Sequence, residues 1–134
     1  MHYWLVKQDP ANYPFEQFQK EKTTDWTGVR NYQARNFLRD MKKGDNVLFY
    51  HSGDEKAVVG FASVSKAAFK DPTADDDAWI AVELKAGKKL KSAVTLADIK
   101  SEPKLKEILL VRNGRISVMS LTKSEYDQIV KMGS

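Results

Sequence analysis

Asp25-Trp-Thr-Gly-Val-Arg-Asn-Tyr-Gln-Ala-Arg-Asn36, followed shortly by Leu48-Phe-Tyr-His-Ser52, carries the densest information in this chain. From Asn31 to Met41, the residues Ala34, Phe37, Leu38 and Met41 recur at i, i+3, i+4 and i+7, which predicts a helix with one buried face. Arg35, Arg39 and Lys42 form a second stripe at the same spacing, so the exposed face is basic. Lys43-Gly-Asp45 ends the helix. Val47 to His51 is then continuously apolar, the mark of a strand covered on both faces. A helix running directly into a buried strand indicates a mixed α and β domain.

Working outward, His2–Lys7 reads as a strand closed by the Asp9-Pro10 turn. Pro14 stands at a helix start, with Phe15 and Phe18 three apart. Ala57–Val64 is a second strand, in which Gly60 marks a bulge or a close backbone approach. In a third, Ile80, Val82 and Leu84 alternate with Trp79, Ala81 and Glu83, which puts Trp79 opposite the aliphatic face. Thr95 opens a short helix, Pro103 interrupts the chain, and Ile116–Met119 forms a last strand. Thr122-Lys-Ser-Glu125 is a capping box for a closing helix. The elements lack a regular βαβ rhythm, so a small barrel-like α+β domain is expected over residues 1–134.

At 134 residues the chain fits one domain, with 42% hydrophobic and 30% charged residues. No segment reaches the ~20 apolar residues of a membrane span, and no leader peptide is visible at the start. Without cysteine there is neither a disulfide frame nor a thiolate site. His2 and His51 lie far apart and lack metal-ligand spacing; no nucleophile elbow or phosphate loop is present. Asp75-Asp-Asp77 lacks the ligand spacing of a calcium loop. Hence no metal, cofactor or catalytic residue is expected. Between Lys85 and Arg115, nine basic residues face three acids in a chain of net charge +4, so the rest is slightly acidic. Such a block either draws phosphates or solvates a loop and a helix face.

The opening segment reads as binding chemistry. Trp26, next to a glycine turn and outside the helix, can stand free of the core as a stacking wall for a base, or it can be a core tryptophan. Asn31, Gln33 and Asn36 donate and accept as base-edge reading requires, although Asn31 also fits a helix cap. Arg30 and Arg35 suit phosphates near a helix N-terminus, or are ordinary surface charges. In the strand Val47–His51, Tyr50 points away from Phe49 and His51, so either one of these faces leaves the core or Tyr50 is itself a buried residue.

Tyr3-Trp-Leu-Val-Lys7, the Asp25–Asn36 run, Lys43-Gly-Asp-Asn-Val-Leu-Phe-Tyr-His-Ser52, Val59-Gly60, Asp71-Pro-Thr73 and Leu110-Val-Arg-Asn-Gly-Arg-Ile-Ser-Val118 together resemble the EVE domain family. The resemblance implies a PUA-like fold, a mixed-sheet pseudobarrel flanked by short helices and related to YTH and ASCH domains. It also implies a pocket for a flipped, modified base, with modified cytosine in DNA favoured over RNA. Trp26, Val29, Arg30, Asn31 and Tyr32 would form one side of that pocket. Phe49, Tyr50, His51 and Ser52 would form another. Lys7, Arg35, Arg39, Trp79, Arg112, Arg115 and Ser117 would lie at the mouth or on phosphates. A monomeric bacterial protein of the cytoplasm or nucleoid fits this reading. The chain departs from the family in having Gln8-Asp-Pro10 where Ser-Glu-Pro is usual, which leaves position 8 open as a contact. Three other readings stand beside it: a modified-RNA or tRNA binder, a nucleoside or metabolite binder, or a hydrolase using His51 and Asp9.

Overall fold

The computed structural model describes residues 2–134. In chain order the elements are β1 (Tyr3–Gln8), α1 (Phe15–Glu21), β2 (Thr23–Trp26), α2 (Tyr32–Asp40), β3 (Asn46–His51) and β4 (Ala57–Lys70). They continue with β5 (Ile80–Thr95), α3 (Leu96–Ser101), a 3-10 turn at Pro103–Leu105, α4 (Leu109–Arg112), β6 (Val118–Leu121) and α5 (Lys123–Met132). The six strands form one mixed sheet in the order β2-β5-β4-β3-β1-β6. β1 and β3 run parallel, and the other neighbours are antiparallel.

The helices form where the sequence supplies their ends. Asn31 Oδ1 accepts from Ala34 N at 2.9 Å and caps α2. Ala34, Leu38 and Met41 are fully covered, as their spacing requires. Thr95 with Asp98, and Thr122 with Glu125, close reciprocal capping boxes on α3 and α5. Pro14 is the N-cap of α1 rather than its first residue, and makes no side-chain cap bond.

The sheet is curled. Laid flat, β2 and β3 would stand three spacings of ~4.8 Å apart. Instead, the Trp26 and Phe49 rings meet edge to face with centroids 5.7 Å apart. Register shifts along β4 and β5 provide the bend, two of them flanking Gly60. A Cβ on Gly60 would collide with the Phe15 ring, so this glycine answers both expectations, bulge and close approach. Among the described residues β2 and β6 remain unpaired edges, so the curl stops short of a closed barrel.

Both faces of β3 are covered: Phe49 is fully buried, Tyr50 is 2% exposed and His51 is 8% exposed. The reading in which one face leaves the core is corrected, because α1 covers the Phe49–His51 side while the opposite side is also enclosed. Strands β4 and β5 run well past their expected ends, and β2 was not expected at all. In those stretches exposed lysines, alanines and threonines replace the alternating apolar residues that reveal a strand.

Candidate nucleic-acid interface

β1 and β3 are parallel, so their carboxyl ends emerge together: Gln8 pairs with His51, and Ser52 N donates to Gln8 O at 2.9 Å. Beside Gln8 lies a cleft of about 260 Å³ lined by Gln8, Asn12, Tyr13, Thr24, Asp25, Trp26 and Thr27. This is just under the ~300–1,000 Å³ of clefts for drug-sized ligands, so it admits one small group. Trp26 is 5% exposed: it meets Phe49 edge to face in the core and also borders the cleft. Burial pushes the Tyr13 hydroxyl up to about 12, and its bond to Glu21 acts in the same direction while Thr24 opposes it. Tyr13 therefore stays neutral. Gln8 Oε1 accepts from Asp9 N at 3.2 Å, which leaves its amide nitrogen available to a guest. Larger depressions lie elsewhere, including one of about 650 Å³ beside Lys43, Lys66, Phe69 and Glu83 and one of about 530 Å³ beside Lys104, Lys123 and Lys131. Neither contains a tryptophan or tyrosine wall.

The turn next to Trp26 is clamped from outside. Asp71, fully buried, accepts from Gly28 N at 2.8 Å, Arg30 Nη1 at 3.0 Å, and Thr73 N and Oγ1 at 2.7 and 2.6 Å. Burial alone would raise the Asp71 carboxyl, but these donors outweigh it and hold it at about 2. Gly28 sits at φ +80°, a conformation that favours glycine. Arg30 is thereby neutralised and serves as a clip between the β2–α2 and β4–β5 connections, not as a lining group of the cleft. Its guanidinium also lies 5.6 Å from the Trp79 ring. Trp79 stacks with Tyr32 at 4.9 Å and 31°, and Arg35 covers Tyr32 at 4.9 Å while bonding Ala78 O. Tyr32 is 62% exposed, so Tyr32, Trp79 and Arg35 form an outward platform rather than a pocket wall. Arg39, one turn beyond Arg35, is exposed on the same helix.

Several expected roles change. Trp26 does not stand free of the core, because curling brings Phe49 against it. Val29 is buried, and Asn31 spends its oxygen on the α2 cap. His51 Nε2 accepts from Phe15 N at 3.0 Å, and Nδ1 lies 2.7 Å from Glu55, so both ring nitrogens serve the fold. His51 supplies the cap that Pro14 cannot. Asp9 Oδ1 accepts from Ala11 N in its own turn. Along β1 and β3, Lys7 and Tyr50 face the side opposite Gln8 and His51. Lys7 Nζ donates to Gly114 O at 2.7 Å, and its N–H donates to Ser117 O, which joins it to the 114–117 segment. Burial pushes the Lys7 ammonium down and the Tyr50 hydroxyl up. Arg112 pairs with Glu107 and Arg115 is exposed. The expected single pocket is thus divided between two sides of the sheet at one end.

The family model of the EVE domain matches residues 2–132. The chain belongs to the EVE domain family. Human thymocyte nuclear protein 1 is 31% identical to it, over 97% of this chain and 73% of that protein. Among solved structures, protein Atu2648 from Agrobacterium tumefaciens is 40% identical, with a TM-score of 0.97 over the whole chain and 94% of its own. A structure of the human THYN1 protein in complex with 5-methylcytosine-containing DNA is 30% identical, with a TM-score of 0.91, covering 100% of this chain and 98% of that one.

Within this EVE domain, the cleft also draws on Asn12, Tyr13, Thr24 and Thr27, which no sequence motif marks. Polar loop and edge-strand residues carry no periodic signal. Gln8, Asp25 and Trp26, which the sequence does single out, line the cleft beside them. Among the described residues no three His, Asp or Glu side chains gather as a metal site, and no helix is long and apolar enough to cross a membrane.

Proposed function

We propose that this EVE domain is a non-catalytic nucleic-acid-binding module that takes a flipped modified base, a modified cytosine in DNA, into the cleft beside Trp26. The observation that carries this reading is the THYN1 complex, whose protein shares 30% of its residues and the same fold and whose DNA contains 5-methylcytosine. The cleft has the size of one base, an indole on its wall and an unspent amide at Gln8. Stacking contributes ~1–3 kcal/mol and extruding a base costs a few, so edge hydrogen bonds must supply the remainder. A buried methyl adds ~0.8 kcal/mol, about fourfold in affinity. The hydrolase alternative loses its base, since both nitrogens of His51 are occupied.

The test is a titration of matched duplexes carrying one cytosine, 5-methylcytosine or an oxidised form, at fixed salt. Tighter binding of a modified duplex supports the reading, and a Gln8→Ala variant weakens it by about three- to tenfold. Equal affinity for all duplexes refutes it. Trp26→Ala is unsuitable as the probe, because removing a core tryptophan costs ~3–5 kcal/mol of stability.

A further inference from the structure

The cleft is bounded on one side by the free edge of β2, and the register of that strand defines which atoms face it. Ala86 N donates to Lys22 O at 2.8 Å, one residue before the Thr23–Lys85 pair. Antiparallel pairs alternate between hydrogen-bonded and non-bonded. Thr24–Leu84 and Trp26–Val82 are therefore the bonded pairs, and the main-chain groups of Thr23 and Asp25 point away from β5. Side chains alternate the other way. Thr24 and Trp26 face inward, while Asp25 lies on the side of its partner Glu83, which bonds Ser65 and Lys66 on the outer surface. Asp25 thus reaches the cleft through its backbone. Among the described residues its N–H and C=O have no partner outside the strand ladder.

We propose that Asp25 N–H and C=O form the base-reading edge of the cleft, recognising a ring that presents an acceptor beside an amino donor, as cytosine does at N3 and N4. This rests on the base-pocket reading above. One extended residue turns its N–H and C=O to the same side, giving a donor and an acceptor side by side. With the sugar held at the mouth, cytosine matches both. A keto pyrimidine in the same pose sets donor against donor and acceptor against acceptor. Gln8 and Tyr13 line the same cleft and offer a guest an amide and a hydroxyl beside this edge.

The experiment compares duplexes containing one 5-methylcytosine or one 5-methylpyrimidin-2-one, which has hydrogen in place of the amine. Wild-type protein is expected to prefer the amine by about ten- to hundredfold, the range of a good bidentate pair. Asp25→Pro removes the N–H at an edge position that tolerates proline and lowers affinity for the amine duplex by at least about tenfold, with the melting temperature measured alongside. Asp25→Ala keeps the preference for the amine. Equal binding of the two duplexes by wild type overturns the proposal, and so does loss of the preference in Asp25→Ala, which would assign the reading to the carboxylate. If Asp25→Pro does not fold, the two-duplex comparison on wild type decides alone. Failure of wild type to favour 5-methylcytosine over cytosine removes the base-pocket reading itself.

Discussion

Two buried polar side chains, Asp71 and His51, hold the ends of the segments that border the cleft. Asp71 gathers four donors from Gly28, Arg30 and Thr73, and its carboxyl is held at about 2 against an ordinary 3.8. A depressed carboxyl stabilises the fold when ionised. Its contribution, on the order of 2 kcal/mol, is complete above about pH 4 and is lost as pH falls toward 2. Denaturant titrations of wild type and Asp71→Asn between pH 7 and about 2 should show that acid-dependent loss in the wild type and a flatter profile in the variant. His51 acts through geometry: its Nε2 receives the Phe15 N–H, otherwise an orphan donor at the start of α1. His51→Ala is expected to cost ~1–3 kcal/mol, and hydrogen exchange at the Phe15 amide should accelerate. Neither role was legible in the sequence. His51 read as a pocket residue because an i-to-j bond across 36 positions leaves no local mark.

Among the elements, α2 and the closing helix were readable in full, because caps and apolar spacing are local properties. The long β4–β5 ribbon was readable only at its buried ends. Its curl depends on Gly60, where the backbone passes against Phe15. Gly60→Ala should overpack this contact and destabilise the domain by ~1–3 kcal/mol, measured as a shift of the denaturation midpoint with unchanged slope. Strand β2 escaped detection because its four residues, Thr-Thr-Asp-Trp, include a single apolar side chain. Yet this strand supplies the cleft with both its indole and its free edge.

At the scale of the molecule, the cleft opens at the carboxyl ends of the parallel pair β1 and β3, with the Tyr32–Trp79–Arg35 platform on the adjoining outer surface. The Asp71 clip ties the turn at Gly28 and Arg30 to Thr73, between cleft and platform. Arg35, partly exposed, and Arg39, exposed, stand one turn apart on α2, on the side we assign to the phosphates that flank a flipped base. If they hold those phosphates, Arg35→Gln and Arg39→Gln should each lower the slope of log affinity against log salt by about 0.9. An unchanged slope in both variants would separate these arginines from the phosphates.

The sequence by itself determined the elements whose signals are local: the capped helices, the strand β3, the glycine at the bulge and the motif that marks the family. The tertiary structure alone decided that Trp26 is a core residue bordering the cleft, that Arg30 is a clip, and that the Asp25 main chain lies on the free edge of β2. Those outcomes follow from sheet curl and strand register. Both are sums over contacts between segments tens of residues apart, and no window of sequence contains them.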